Sequence, residues 1–460
     1  MIAYYFPPVG GLGAAGSQRM CRLARYLPLH GWDTSVLTVR ETSYEPYLTL
    51  DPSLLARLSP DTKVRRTRVI RGLTPLLKLK GRIAGTLRAR TRRRPARPPE
   101  ALTANGKTDP GAASQGRFQA LKDAVTDLFE IPDEEAGWLL PAVVAGVSVV
   151  RREKIDVLCS SGRPWTAHLI GCALKRLTGR PLITDFRDPW MTNPFRPRYS
   201  AVRDKAERWL EGVVIRTADL IVANTSHLRE EFSIRFPAAR RKCVEIGNGF
   251  DPEDYRALND RTSAREADGR FRLVHSGFLY GERDPRTFLD ALTILKEVHR
   301  LDHRQLEVEL VGPVGLPYDL GRHVKEHHLD QIVHVRAAVP YQESLEHVAH
   351  SDAAILLQPG TMTQVPSKLY EYVGLGKVIF AIAEKDSAVC WLMERHNLGS
   401  IADARSPEDI AGKLHAMYGR WKASGEHLVA SEAGRDEFDV RRLAGILAEH
   451  MRRLGCGRQR

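Results

Sequence analysis

Residues 358–376 read QPGTMTQVPSKLYEYVGLG. An apolar run, AAILLQP, leads into this stretch, so a buried strand is predicted to end at Gln358. Pro359, Gly360 and Pro366 then make a loop, and a helix starts at about Ser367. Lys368 falls in its first turn, where unpaired N–H groups and the helix dipole attract phosphate. Glu371 lies three residues on and shares a face with Lys368. A cation for a diphosphate and a carboxylate for ribose hydroxyls is the chemistry a nucleotide-sugar requires. The plainer alternative is a surface Lys–Glu pair, and the preceding loop favours the functional reading.

The same strand–loop–helix unit recurs outward from there. In the first half, strands are predicted at IAYYF, DTSVLTV, IDVLCSS, PLITDF, DLIVANT and CVEIG. Helices fall between them, as at residues 17–30 and 165–177. The second half repeats the scheme with FRLVHSG, LEVELVG, IVHVRAA, AAILLQP and KVIFAIA. Short, mainly apolar strands alternating with helices indicate doubly wound parallel sheets covered on both faces. The 460 residues exceed one ordinary core. The polar, acid-rich residues 251–269 are the natural break. The expected fold is α/β, with an N-terminal domain over 1–250, a C-terminal domain over 271–430 and a helical end segment over 431–460. Near that end, Ser406, Pro407 and Asp409 signal a capped helix.

The net charge of +13 is local. Residues 62–99 hold fourteen Lys or Arg and no acid; the rest of the chain is nearly neutral. Leu76, Leu79, Ile83 and Leu87, with cations around them, read as a short basic amphipathic helix. It runs into a Pro/Gly/Ser-rich stretch, and residues 72–118 read as a partly disordered insertion. Residues 73–97 are a candidate tether to an anionic membrane; a solvated surface loop is the alternative. The basic segment lacks interleaved aromatics, which argues against nucleic acid. No apolar run reaches the length of a membrane span, and MIAYYFPPVGG does not read as a secretory signal. Six cysteines without a CxxC pair fit free thiols in a reducing, cytoplasmic compartment.

Other strand ends carry candidate chemistry. Residues 4–17, YYFPPVGGLGAAGS, form a glycine-rich turn before a helix, with no GxGxxG or Walker pattern. TDFRDPW (184–190) places Asp185, Arg187 and Asp188 at a strand end, where open parallel sheets bind ligands. A structural Asp–Arg pair is the competing account; a cleft-facing role for at least one acid is favoured. His168 follows SSGRPWTA in the first turn of a helix, where it could donate to a sugar hydroxyl. Arg283, in FRLVHSGFLYGERDPR, is placed to reach the same diphosphate as Lys368. No Asp-x-Asp pair occurs, so no metal site of that kind is expected.

Together these motifs resemble the GT-B glycosyltransferases, specifically the retaining family 4. The resemblance runs in order from YYFPPVGG through SSGRPWTAHLIG, ITDFRDPW, GNGFD and HSGFLYGERDP to PSKLYEYVGLGKVIFAI. It implies two Rossmann-like domains with an interdomain cleft, the C-terminal one holding a nucleotide-diphosphate sugar and the N-terminal one a lipid-linked or glycan acceptor. The end segment would cross back to the N-terminal domain. Retention of configuration without a metal ion is implied too. Carried onto this chain, the resemblance marks Gly10, Gly11, Arg283, Lys368 and Glu371 for the donor and His168 for the sugar. With Ser367 from the helix start and Asp188 from the strand end, the donor set is Gly10, Gly11, Arg283, Ser367, Lys368 and Glu371, and the catalytic set His168, Asp188, Arg283 and Lys368. Thr363 stands where many members have a Glu, eight residues before the ribose acid. The strand before YYFPP is shorter than the resemblance implies, so the true start is expected upstream. The alternatives are a nucleotide-sugar epimerase or hydrolase of the same fold, and a non-catalytic scaffold in polysaccharide assembly.

Overall fold

The computed structural model describes residues 1–10, 14–45, 48, 50–70, 130–255, 269–425, 428, 430–431 and 433–456. The basic helix predicted over residues 76–90 and most of the predicted interdomain break lie outside them.

Among the described residues there are fourteen strands: β1 Ser35–Val39, β2 Lys63–Thr67, β3 Leu158–Gly162, β4 Leu182–Phe186, β5 Leu220–Ala223, β6 Cys243–Glu245, β7 Phe271–Ser276, β8 Leu279–Tyr280, β9 Leu306–Val311, β10 Val314–Gly315, β11 Val333–Arg336, β12 Ala353–Gln358, β13 Val378–Ala383 and β14 Gly399–Asp403. The N-terminal sheet comprises the β1–β2 pair and the set β3-β4-β5-β6. Ile2 joins them, bridging in parallel to Leu37 of β1 and Ser160 of β3. Its N–H donates to the Cys159 carbonyl at 2.7 Å, and the Leu37 N–H to the Met1 carbonyl at 2.8 Å. The predicted strand IAYYF shrinks to this bridge. The Tyr4 carbonyl accepts instead from the Thr38 and Tyr44 hydroxyls, both at 3.0 Å.

Counting residues 1–3 as the first strand, the N-terminal order is 3-2-1-4-5-6-7. The C-terminal sheet runs β11-β9-β7-β12-β13-β14, which is 3-2-1-4-5-6 within that domain. Both are the doubly wound order, whose reversal beside the first strand opens a crevice at the strands' carboxyl ends.

Side-chain alternation explains why each sheet is covered on both faces. Ala353, Ile355 and Leu357 of β12 enter one cluster with Phe271 and Phe288; Ala354 and Leu356 enter another with Tyr372 and Val389. In the first sheet, Leu158, Leu182 and Ile221 face one way, and Cys159, Ile183 and Val222 the other. The second group packs under the helix Val440–Cys456, which thus lies on the N-terminal domain against the helix Ala14–Tyr26. The helix Pro407–Ala423 begins as its sequence indicates: the Ser406 Oγ accepts from the Asp409 N–H at 3.1 Å. No helix among the described residues is long and apolar enough to cross a membrane.

Candidate active site

The loops after β3, β4, β7 and β12 meet across the two domains and enclose a cavity of about 180 Å³. Arg163, Asp188, Asn193 and Phe195 line it from the N-terminal domain; Tyr280, Arg283, Gln358, Gln364, Val365 and Pro366 line it from the C-terminal domain. β7 and β12 flank the point where the C-terminal sheet reverses, so Arg283 and the 359–366 loop stand where this topology places ligands.

Arg283 is positioned by its neighbours. The Gln358 Oε1 accepts from Arg283 Nε at 3.2 Å and Nη2 at 2.9 Å, while Gln358 Nε2 donates to the Thr361 hydroxyl at 2.9 Å. Gln358 is buried, so its amide is committed at both ends and fixes the guanidinium. The Phe195 and Tyr280 rings lie 5.9 Å apart at centroids, and Arg283 stands 6.0 and 5.4 Å from them. Gly360, with φ of 70°, makes the turn that returns the chain toward the helix.

Three hydrogen bonds tie the domains together here. Gln364 Nε2 donates to Asp188 Oδ1 at 2.8 Å, and the Thr225 hydroxyl to the Thr363 carbonyl at 2.6 Å. His227 Nε2 donates to the Asp386 carbonyl at 3.0 Å. Thr363 therefore takes part through its backbone.

Two residues beyond Pro366, Lys368 Nζ donates to Glu371 Oε2 at 2.8 Å and lies 5.9 Å from the Tyr341 ring centroid. The pair shares a face, as the i, i+3 spacing dictates. Neither residue lines the cavity, and Ser367 lines a separate narrow crevice with Arg19, Arg22 and Gly247.

The remaining sequence-derived candidates sit elsewhere. Gly10 is buried outside the cavity lining, and Gly11 lies outside the described residues. His168 is fully buried against Trp165 and Phe186. Its Nδ1 is 2.9 Å from the Ser160 hydroxyl, and its Nε2 has no hydrogen-bond partner. Burial pushes its pKa down to about 3, so the ring is neutral.

TDFRDPW divides its charges. Asp185 is buried and accepts from Arg19 Nη2 at 2.8 Å, Arg19 Nε at 3.1 Å and the Ser161 hydroxyl at 2.8 Å. Burial alone would raise the Asp185 carboxyl; the Arg19 guanidinium overrides it and holds the group ionised. Arg187 Nε donates to the Gly162 carbonyl at 3.0 Å, bracing the loop after β3. Only Asp188 reaches the cavity. Sequence reasoning missed Arg163, Asn193, Phe195, Gln358 and Gln364. For Gln358 the signal was present: an amide ends an otherwise apolar buried strand.

The chain was compared with known proteins. Residues 101–254 match the model of Glycosyltransferase Family 4, about a third of the chain. No curated protein sequence matches it. Among solved structures, HepE of Anabaena in complex with UDP superposes with a TM-score of 0.57 at 13% identity, covering 98% of this chain and 99% of that one. Sucrose-phosphate synthase of Thermosynechococcus elongatus gives 0.60 at 13% identity, covering 99% and 98%. The lipopolysaccharide outer core galactosyltransferase WaaB gives 0.55 at 12% identity, covering 100% and 99%. This chain has the GT-B fold. Its two doubly wound sheets present the loops at their strands' carboxyl ends to one cleft. Here that cleft is the cavity between Asp188 and Arg283.

Proposed function

We propose that the chain is a metal-independent retaining glycosyltransferase. It would move a sugar from a nucleoside-diphosphate donor to a lipid-linked or glycan acceptor. One observation carries the reading: Arg283 and Asp188, from opposite domains, line a single cavity together with Pro366, which caps the helix that carries the Lys368–Glu371 pair. HepE has been crystallised with UDP and with UDP-glucose, which supports a nucleotide donor for a chain of this fold.

In this reading Arg283, Lys368 and the free N–H groups of the helix Ser367–Gly374 stabilise the charge that develops on the departing β-phosphate. Glu371 accepts from ribose hydroxyls once Lys368 turns to phosphate. Among the cavity-lining residues the one carboxylate is Asp188, held by Gln364. That favours front-face attack, in which the leaving phosphate takes the acceptor proton and the sugar keeps its configuration. Asp188 orients the acceptor hydroxyl. Residues 73–97, read from sequence, would hold the enzyme on the inner membrane face beside a lipid-linked acceptor.

Thermal unfolding with a panel of UDP-, GDP- and ADP-sugars tests the donor. One of them should stabilise the protein by about 2.7 kcal/mol at a hundred times its Kd; no stabilisation by any would sink the reading. Excess EDTA should leave turnover intact, because two cations offset the diphosphate charge. A complete loss restored by a divalent ion would refute metal independence.

A further inference from the structure

The helix Ala201–Thr217 inverts the usual arrangement of a surface helix. At 100° per residue, Asp204, Glu207 and Glu211 fall on one side, and Val202, Lys205, Trp209, Val213 and Arg216 fall opposite. The acids face inward. Glu207 and Glu211 are buried; Arg203 Nε donates to Glu207 at 2.7 Å, Arg196 Nη2 to Asp204 at 2.7 Å, and Arg235 pairs with Glu211. The outer stripe exposes Val202 at 72% and Trp209 at 64%, interleaved with exposed Lys205 and Arg216. Arg208, beside Trp209, is exposed as well. Lys242 Nζ donates to the Arg216 and Ala218 carbonyls, bringing exposed Arg240 and Arg241 alongside the helix end.

We propose that this face docks on an anionic membrane surface. A tryptophan and a valine two turns apart, set among long cations with every acid of the helix turned away, suit the headgroup–acyl boundary. There the Trp209 and Val202 side chains enter the interface and the cations meet lipid phosphate. A protein partner would call for a shaped apolar patch, whereas this stripe is narrow and uniformly cationic.

The inward face explains the placement. Trp190 Nε1 donates to Glu207 at 3.2 Å, and the Met191 N–H to Glu211 at 3.4 Å. Arg196 bonds the same helix, so the segment carrying Asp188, Asn193 and Phe195 into the cleft is anchored on it. A membrane under the outer face is separated from that segment by the one helix, about 10 Å. The proposal rests on the lipid-linked acceptor reading and deepens it.

The test is flotation of the full chain with vesicles of phosphatidylcholine alone or with 30% phosphatidylglycerol. The variants are Val202→Ser/Trp209→Ser and Lys205→Gln/Arg208→Gln/Arg216→Gln. Wild type should float with the anionic vesicles at low salt. Each variant should bind at least tenfold more weakly, and the triple variant should lose most of the salt dependence. Brominated-lipid vesicles should quench a tryptophan signal that Trp209→Phe removes. Both multiple variants should keep wild-type stabilisation by the donor sugar, which separates this proposal from the donor assignment. Wild-type flotation by both variants would overturn it, since residues 73–97 or other sites would then carry the binding. So would failure of wild type to float, or a vesicle-free dimer that Val202→Ser/Trp209→Ser dissociates, which makes a second copy the occupant.

Discussion

The two domains share a topology but spend their charges differently. In the N-terminal domain, Arg19, Arg22 and Arg25 all reach the segment that leaves for the other domain. Arg19 donates to the Ile246 and Gly247 carbonyls, Arg22 to the Gly249 carbonyl and Asp254, and Arg25 to Asp251. In the C-terminal domain, Arg283 donates to Gln358 and Lys368 to Glu371, their one hydrogen-bond partner each among the described residues, and Lys368 remains partly exposed. The arginines of the helix Ala14–Tyr26 thus hold the chain together, whereas Arg283 and Lys368 are less committed within the protein.

Arg19→Ala probes the first half of that contrast most harshly. It leaves Asp185 buried without its cation, a loss of about 3–5 kcal/mol, measurable as a fall in denaturant midpoint. Arg19→Met with Asp185→Leu should regain part of this, because the bonds to the 246 and 247 carbonyls stay lost. An Arg19→Ala protein as stable as wild type would erase the contrast.

Lys368→Ala and Glu371→Ala probe the second half. Each should cost about 2–3 kcal/mol in kcat/KM for the donor, the value of a charged hydrogen bond. Glu371→Ala should barely move the denaturant midpoint, because Lys368 is partly exposed, whereas Lys368→Ala should also lower it, because Glu371 is buried. A stability loss without a kinetic one would make the pair structural, like Arg19 and Asp185.

Two buried histidines let the domains be compared directly. His168 and His275 each have an unpartnered Nε2, and burial pushes their pKa values down to about 3 and about 4. The unfolded chain binds the proton near pH 6.5, the folded chain only far lower. Stability from each is therefore complete above about pH 6.5 and falls by about 1.4 kcal/mol per unit as the pH drops toward the folded pKa. At pH 5 His168→Asn should show about 2 kcal/mol less acid destabilisation than wild type. An identical pH slope would mean that the ring is already charged in the fold.

Gln364→Ala removes the hydrogen bond to Asp188 across the cleft and should cost about 1 kcal/mol in kcat/KM, the typical net value of one hydrogen bond. An unchanged kcat/KM would leave this contact outside the catalytic cycle.

Much of the architecture was legible because buried parallel strands are short apolar runs. DTSVLTV, PLITDF and AAILLQP each contain the strand observed. β2 was missed for a physical reason: KVRRT is an edge strand with Lys63 and Arg65 exposed, so it carries no apolar signature. β14, GSIAD, is a short edge strand that opens on glycine. In the candidate site, Lys368 and Glu371 could be paired from local spacing alone. The Asp188–Gln364 and Arg19–Asp185 contacts span 176 and 166 residues, and no local pattern announces which of two neighbouring acids an arginine will claim. The same blindness hid the burial of His168.

The helix Val440–Cys456 has a consequence for how the protein is made. Its Val440, Leu443, Leu447 and Met451 cover Met20, Leu23 and Leu27 near the opposite end of the chain, and His30 and Arg452 are hydrogen bonded. At translation speeds of 5–20 residues per second, those early apolar side chains emerge from the ribosome about 20–80 s before their cover does. The first domain is thus born unfinished. It must wait, with one apolar flank open to chaperones or misassembly, until the helix Val440–Cys456 has emerged.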